Sequence, residues 1–368
     1  MNRLVPLFAF GLLSACAAQP PQGQTPFQPS PAMLDVLAER QAMHARELSD
    51  VTPEVARTVP SLIDAARAIP NVKGLPAPSL PVPQVTQLVA SGAEGALGAR
   101  LYRPELAKDT PVIVYFPGGT WVTGSLDTYD ESARQLAQRT GWVVVSLRTR
   151  LAPEAQFPAQ HDDAFAAYGW ARAHMREWGG DPTRVVLAGE GPGANLALST
   201  ALAARDQVAR GSSALPDHLL LITPVAGTAL GTDSMRENRR SQPVSRATAD
   251  WAQSAYAPRN LADPRIDLVS RPDLGGLPPT TMILAPADPF RSGGEALAAR
   301  LSAAGVATDA RLFPGTTADF FGLGQTVPDA AAAEDYAVQR LRTAFYRPPA
   351  PVITGWVPGP RRRAIRRR

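Results

Sequence analysis

Residues 179–197 read GGDPTRVVLAGEGPGANLA, and they contain the clearest indication of the fold class. The apolar run 184–188 has the length and composition of a buried strand. It leads directly into residues 189–193, GEGPG, where the glycines permit a sharp turn and the proline suits the first turn of a helix. Residues 193–205 then have the pattern of a helix. A strand, a sharp turn and a helix form the repeating unit of a parallel α/β sheet.

Outward from this unit, apolar runs of strand length alternate with amphipathic segments. The other predicted strands are 84–90, 97–102, 111–116, 142–147, 218–223, 280–285 and 307–313. The other predicted helices are 129–140, 161–177, 293–304 and 329–346. The central runs are almost continuously apolar, as parallel strands covered on both faces are. We therefore predict an α/β fold with a mostly parallel, doubly wound sheet of about eight strands, and helical cap insertions at about 32–70 and 228–262.

Composition excludes several classes of protein. The chain has 368 residues, of which 45% are hydrophobic and 19% charged, so it can bury a large core and is not disordered throughout. The single cysteine excludes internal disulfides and any multi-cysteine metal site, and four histidines argue against a multi-histidine metal centre. The sequence predicts neither a metal nor another cofactor.

The N-terminus has the pattern of an export signal. Residues 1–15, MNRLVPLFAFGLLSA, have a basic start and an apolar run that is too short to span a bilayer. They lead to Cys16 in a sequence that resembles the lipobox of bacterial lipoproteins, in which the cysteine is acylated. We therefore expect a lipid anchor on Cys16, with the domain facing the periplasm, and Ala17 favours the outer membrane. Residues 16–31 are predicted to be an extended tether rich in proline and glutamine. An ordinary signal peptide is the alternative.

The C-terminal segment, residues 347–368, is rich in proline and then in arginine, and is predicted to be disordered. Its last eight residues contain six arginines: Arg361, Arg362, Arg363, Arg366, Arg367 and Arg368. These and Arg3 supply seven positive charges, so the rest of the chain carries −3 although the whole carries +4. The tail could bind an acidic protein, anionic lipid or an acidic envelope polymer, or could simply be solvated. Nucleic acid is not an expected partner, because the leader directs the protein out of the cytoplasm.

Several motifs, taken in order, carry a resemblance to a known family. They are YFPGGTWVTGS at 115–125, TRLAPEAQFPAQHDD at 149–163, the opening stretch at 179–197, LPPT at 277–280, DPFRSGGE at 288–295 and GTTADFFGL at 315–323. Their order and spacing resemble the α/β-hydrolase fold, specifically the hormone-sensitive-lipase-like esterases and acetyl-hydrolases, over roughly residues 80–346. The resemblance implies ester hydrolysis by a serine, a histidine and a carboxylate, with backbone N–H groups stabilising the oxyanion.

The resemblance also assigns each catalytic position to a residue of this chain. The nucleophile falls on Gly191, the histidine base on Ala318 and the triad acid on Asp288. Pro192 follows the nucleophile position, where the family uses a backbone N–H that proline lacks. The oxyanion loop corresponds to Pro117, Gly118, Gly119 and Thr120. Only Asp288 and the two glycines therefore match the family's pattern.

Two functional hypotheses follow from these positions. The first is an envelope lipoprotein whose hydrolase scaffold has lost its chemistry and serves binding, scaffolding or assembly. It assumes that no other hydroxyl and imidazole are in contact at the mouth of the sheet. The alternative is an active carboxylic-ester hydrolase with a non-standard residue set, in which Asp288, Glu190 or Asp319 acts as a general base without a covalent step.

A third interpretation concerns the same turn. Gly189, Gly191 and Ala194 match the pattern G-x-G-x-x-A of dinucleotide-binding proteins. The match is weak, because the turn follows about the fifth strand instead of the first and no acidic residue ends the next strand. The packing needs of a sharp turn explain these glycines without a nucleotide.

Overall fold

An eight-stranded sheet forms the centre of the computed structural model, which describes residues 28–73, 84–210 and 215–346. The predicted fold class, a mostly parallel doubly wound sheet of about eight strands with helical caps, is confirmed. The predicted leader, Cys16, most of the tether and the arginine-rich tail lie outside the described residues.

The strands coincide with the predicted apolar runs to within a few residues. They are β1 Gln84–Gly92, β2 Gly95–Arg103, β3 Thr110–Phe116, β4 Val143–Leu147, β5 Gly180–Glu190, β6 His218–Ile222, β7 Thr280–Leu284 and β8 Thr308–Leu312. Their order across the sheet is β1-β2-β4-β3-β5-β6-β7-β8. Strands β1 and β2 pair with each other in antiparallel fashion, as do β2 and β4, whereas every pair from β4 to β8 is parallel.

Helices cover both faces of the sheet and form the predicted caps. They are α1 Pro31–Ala42, α2 Pro53–Ala56, α3 Leu62–Lys73, α4 Asp130–Thr140, α5 Ala159–His174, α6 Pro192–Val208, α7 Asp233–Glu237, α8 Arg246–Tyr256, α9 Arg291–Ala303 and α10 Pro328–Ala344. A 3₁₀ turn, Leu48–Asp50, follows α1. Within the described ranges, no helix combines the length and the apolar character that crossing a bilayer requires.

The sheet separates two hydrophobic cores. One core lies under α5, α6 and α9, and the other lies under α1, α3, α4 and α10. Strand β3 contributes to both: Val112, Val114 and Phe116 face the first core. Ile113 and Tyr115 face the second core. All five side chains are fully buried. Burial on alternating faces holds the register of β3, since a shift by one residue would exchange its two sets of side chains.

The two cap segments are joined by a polar cluster, which we call the Glu47 latch. Its members are Glu47, before the 3₁₀ turn, and Gln242, Ser245 and Thr248 near the start of α8. The Glu47 carboxylate accepts hydrogen bonds from Gln242 Nε2 at 2.9 Å, from Ser245 Oγ at 2.6 Å and from Thr248 Oγ1. Ser245 is also the N-cap of α8, where its hydroxyl accepts the Thr248 N–H. The latch holds the N-terminal cap segment against the second one.

Candidate active site

The loops that follow four parallel strands meet at one edge of the sheet. They are the Pro117–Thr120 loop after β3, Gly191 after β5, Asp288 after β7 and the segment 315–319 after β8. A bridge between Ala287 and Thr317 joins the last two loops. Ligands of parallel α/β sheets bind outside the carboxyl ends of the strands, so this edge is the candidate site.

The turn around Gly191 keeps the sharp geometry that the sequence predicts. Gly191 has φ 50° and ψ −118°, and its N–H donates to the carbonyl of Ile222 at 2.9 Å. A Cβ atom on Gly189 would lie 2.3 Å from the carbonyl oxygen of Gly193, and one on Gly193 would lie 2.2 Å from that of Phe116. A Cβ on Gly191 would meet nothing closer than 3.8 Å. Close packing therefore requires the two outer glycines, but it does not require Gly191.

The loop after β3 borders the same edge. Gly119 has φ 114°, and a Cβ there would lie 2.1 Å from the carbonyl oxygen of Thr123. A Cβ on Gly118 would lie 2.7 Å from the hydroxyl of Tyr129. These contacts explain both glycines, and Gly119 and Thr120 line the site cavity. Pro192 is the first residue of α6 and lines the same cavity without an N–H to donate.

Asp288 lies in this cavity with its side chain almost completely buried. Its Oδ1 accepts the N–H of Phe290 at 2.8 Å. Burial, aided by the charge of Asp319, raises the pKa of the carboxyl to about 7 against the opposing effects of the Phe290 N–H and the Arg291 charge. Asp288 is therefore a carboxyl that changes its protonation state near neutral pH, as a general base does.

Ala318 and Asp319 differ in what they bring to the site. Ala318 lines the cavity with a methyl group, whereas Asp319, one of the carboxylates that the sequence offers as a base, is a partly buried acid. Its Oδ1 accepts the Tyr129 hydroxyl at 2.9 Å, and burial raises its pKa to about 6. Asp288 and Asp319 are close enough for their charges to interact. The site therefore contains two interacting carboxyls whose pKa values are both raised toward neutral pH.

Glu190, the third candidate carboxylate, lies beneath the site. Its Oε1 accepts the Tyr115 hydroxyl at 2.5 Å, and its Oε2 has no hydrogen-bond partner among the described residues. Complete burial raises its pKa to about 8. Glu190 does not line the site cavity, so it cannot contact a substrate there directly.

One imidazole and one hydroxyl are in contact near the site. His161 Nδ1 lies 2.7 Å from the Tyr256 hydroxyl, and the Trp121 ring stacks on that of Tyr256 with centroids 4.2 Å apart. Neither His161 nor Tyr256 lines a described cavity. Burial lowers the pKa of His161 to about 4 and raises that of Tyr256 far above its usual value. The pair supports the cavity wall and is shielded from substrate.

Backbone strain is concentrated around the cavity. Five non-glycine residues in the described ranges have positive φ, and three of them, Trp121 at 68°, Thr223 at 40° and Asp319 at 58°, line this one cavity. Such conformations cost of the order of 1–3 kcal/mol each and persist mainly where function depends on them. The cavity has a volume of about 20 Å³, which suffices for one water molecule.

Comparisons with known proteins agree with this geometry. A sequence profile of the alpha/beta hydrolase fold matches residues 113–322. Among curated relatives, the carboxylesterase NlhH of Mycobacterium tuberculosis is 35% identical over 67% of this chain and 78% of its own length. The carboxylic ester hydrolase LipN of the same organism is 33% identical over 75% and 74%. The solved structure of the esterase of Pyrobaculum calidifontis is 28% identical with a TM-score of 0.75, over 86% of this chain and 98% of that one.

These relatives correct the first functional hypothesis. A scaffold or assembly protein without catalysis is contradicted, because relatives named carboxylesterases support an ester hydrolase. The expectation equated the missing side chains at Gly191 and Ala318 with missing chemistry. A general-base carboxyl that acts without a covalent step belongs to the alternative hypothesis, and the structure places Asp288, with its pKa raised to about 7, in the site cavity. The alternative hypothesis, an ester hydrolase with a non-standard residue set, is better supported.

Proposed function

Because the chain belongs to the α/β-hydrolase fold family, we propose that it hydrolyses carboxylic esters with Asp288 as general base for an attacking water molecule. The observation that carries this proposal is that Asp288, almost fully buried, lines the same cavity of about 20 Å³ as Gly191. Gly191 leaves free the space that a side chain would occupy. A water molecule there takes the position of the missing hydroxyl.

The chemistry proceeds in two steps. Ionised Asp288 takes a proton from water while the water oxygen bonds to the ester carbonyl carbon, and the carbonyl oxygen becomes an oxyanion beside the Gly118–Thr120 backbone. The carbon–oxygen bond to the alcohol then breaks, the proton returns to the departing alkoxide, and the products are a carboxylic acid and an alcohol. Pro192 contributes no N–H, which removes one of the usual oxyanion donors.

Asp319 and Tyr129 assist the proposed base, Asp288, without taking its proton-transfer role. Asp319 borders the cavity that holds Asp288, and its charge raises the pKa of Asp288. The Tyr129 hydroxyl donates to Asp319 while the Tyr129 ring packs against Gly118. Tyr129 is therefore a positioning residue that joins the carboxyl pair to the glycine loop.

The proposed function predicts a characteristic ester hydrolysis. The purified chain is expected to hydrolyse p-nitrophenyl acetate and butyrate, with kcat/KM rising with pH through about 7, because the base is active only when ionised and the pKa of Asp288 is about 7. Paraoxon, which modifies catalytic serines, should leave this rate unchanged, since Gly191 has no hydroxyl. The measurement is p-nitrophenolate release across pH, with and without paraoxon.

The paraoxon arm also controls for contaminating host esterases, which use serine. A serine esterase treated in parallel must lose its activity. Complete loss of turnover after paraoxon, or no turnover above buffer at any pH from 5 to 9, would contradict the proposed function.

The location of the protein remains a prediction from the sequence, and we propose a lipid anchor on Cys16 that faces the periplasm. Cys16→Ser is expected to move the chain from the membrane fraction to the soluble fraction, because the acylated sulfur is lost. Ala17→Ser, which keeps the cysteine, is the matched control and should stay in the membrane fraction. The measurement is fractionation followed by immunoblotting, and a membrane-bound Cys16→Ser variant would refute the anchor.

The tail is proposed to add an electrostatic contact to this location. Its six arginines, within residues 361–368, suit an acidic protein, anionic lipid or an acidic envelope polymer. Each charge near an anionic membrane surface contributes about 1 kcal/mol, and the contribution decreases with salt.

A further inference from the structure

A second cavity adjoins the site. Its volume is about 160 Å³, and it lies between the N-terminal cap segment and the loop of residues 119–124. Gly119, Thr120, Val244 and Asp319 line both cavities, so the two meet at the glycine loop. A substrate whose ester carbonyl lies beside Asp288 can therefore extend one of its ends into the larger cavity.

Arg40 of α1 lines this second cavity with an almost completely buried side chain, 5% exposed. Its Nε donates to the carbonyl oxygen of Pro60 at 2.8 Å and its Nη1 to Gln242 Oε1 at 2.9 Å. Both acceptors are neutral, and no carboxylate of the described residues lies within ion-pair distance, 4.0 Å, of the guanidinium. These bonds use two of the five N–H donors of the side chain.

The charged groups around Arg40 are occupied elsewhere. Glu47, whose charge acts on Arg40, is held by the three donors of the Glu47 latch. Asp319, the other carboxyl that acts on Arg40, accepts the Tyr129 hydroxyl. Arg57, a second cation lining the cavity, forms a two-pronged ion pair with Glu154. Arg40 is thus the cation in this cavity, within the described residues, that has no direct carboxylate partner.

We propose that the second cavity binds a free carboxylate on the ester substrate through Arg40, so that the preferred substrates are monoesters of dicarboxylic acids. This inference rests on the proposed function, which places the ester carbonyl beside Asp288. A buried cation without a direct counter-charge is unfavourable, and an incoming anion relieves this cost. A planar guanidinium with unused donors matches a carboxylate in shape and charge.

The position of Asp319 restricts the length of such a substrate. Asp319 lies at the junction of the cavities, where its carboxylate repels that of the ligand. The dicarboxylic acid must therefore be long enough for its free end to pass this junction and reach Arg40. A series of mono-4-nitrophenyl esters of succinate, glutarate and adipate tests the length.

The experiment compares anionic and neutral esters in each variant. For the purified chain, we expect kcat/KM for the best monoester of the series to exceed that for 4-nitrophenyl butyrate at least tenfold. Arg40→Gln should reduce this ratio at least tenfold, mainly through KM, and Arg40→Lys should keep part of the preference. Arg67→Gln removes a half-exposed charge outside the cavity and should leave the ratio unchanged. Because the ratio is taken within one variant, partial loss of folded protein cancels.

Failure of this inference can be distinguished from failure of the proposed function. Hydrolysis of neutral esters with no preference for any monoester, or a preference that Arg40→Gln leaves intact, would overturn the carboxylate site alone. If no ester is hydrolysed, calorimetric titration of the full chain with glutarate decides the question. Binding that Arg40→Gln weakens at least tenfold supports the site independently of catalysis, and absence of binding overturns it.

Discussion

Replacing Asp288 by asparagine is expected to lower kcat/KM for p-nitrophenyl acetate by about 10²- to 10⁴-fold, the usual contribution of a general base. Asparagine has the same shape, and its amide oxygen can still accept the Phe290 N–H that Asp288 Oδ1 accepts at 2.8 Å. It cannot take a proton from water at neutral pH. The loss should therefore appear in the catalytic rate without loss of the fold.

The same substitution, Asp288→Asn, should lower activity but should not lower the stability of the fold at alkaline pH. The pKa of Asp288 is raised in the folded chain to about 7 from 3.8, so the folded state binds its proton more tightly than the unfolded state does. The free energy of unfolding contributed by this group falls as pH rises from about 4 to about 7. Asparagine does not titrate, so Asp288→Asn removes this decrease in unfolding free energy. At pH 8 the urea concentration at the unfolding midpoint should therefore be equal or higher for the variant than for the parent.

The matched control is Asp309→Asn on β8. Asp309 is paired with Arg340 and lines no described cavity, so its substitution should leave kcat/KM within about twofold. If Asp288→Asn retained the activity of the parent while Asp309→Asn did the same, the assignment of Asp288 as base would be wrong.

Gly193→Ala is expected to produce a large loss of stability for the addition of a single methyl group, about 3 kcal/mol or more of unfolding free energy. The added Cβ would lie 2.2 Å from the carbonyl oxygen of Phe116 and 2.4 Å from that of Pro117. Both atoms belong to the backbone and cannot rotate away. The clash would separate α6 from the end of β3, and urea denaturation followed by circular dichroism measures the effect.

Two other glycines provide a graded comparison. Gly191→Ala has free space around the new Cβ but must adopt φ 50° and ψ −118°, a region that residues other than glycine rarely occupy, so it should cost about 1–3 kcal/mol of unfolding free energy. Gly169→Ala lies in the exposed face of α5 with nothing within 4 Å, and it should stabilise by up to about 1 kcal/mol because alanine favours helices. Equal urea midpoints for Gly193→Ala and Gly169→Ala would contradict the close packing described at the turn.

The fold could be predicted from the sequence because its signals are local. Strands such as β4 and β6 are almost continuous apolar runs, and the glycines and proline of residues 189–193 mark a strand-to-helix turn. The start of α3 contains a local signal that the predictions above did not use, since the structure shows reciprocal capping bonds between Ser61 and Asp64. Each of these features depends on residues only a few positions apart.

The site was predictable only in part. Gly191, Asp288 and Ala318 could be located because each follows a strand within a recognisable motif. Arg40 could not, since it lies in α1, far along the chain from every motif, and reaches the site region only through packing of the cap. The raised pKa of Asp319 could not be predicted from the sequence either, because its main cause is desolvation by residues that are distant along the chain.

The functional error has the same origin. The motifs show which side chains are missing, whereas the titration behaviour of those that remain depends on the folded surroundings. Asp288 in an exposed loop would be ionised well below neutral pH and would be a weak base. In the fold it is buried beside Asp319, and this makes a carboxyl useful near pH 7.

The Glu47 latch has a consequence for how molecules enter and leave. It joins segments about 200 residues apart along the chain, and the bond from Arg40 to Gln242 adds a further connection between the same two segments. Outward movement of either segment alone requires these bonds to break, because each of them has one partner on each segment. We therefore expect the two cap segments over both cavities to open as one cooperative unit. Entry of substrate and release of product would then require several of these hydrogen bonds to break together.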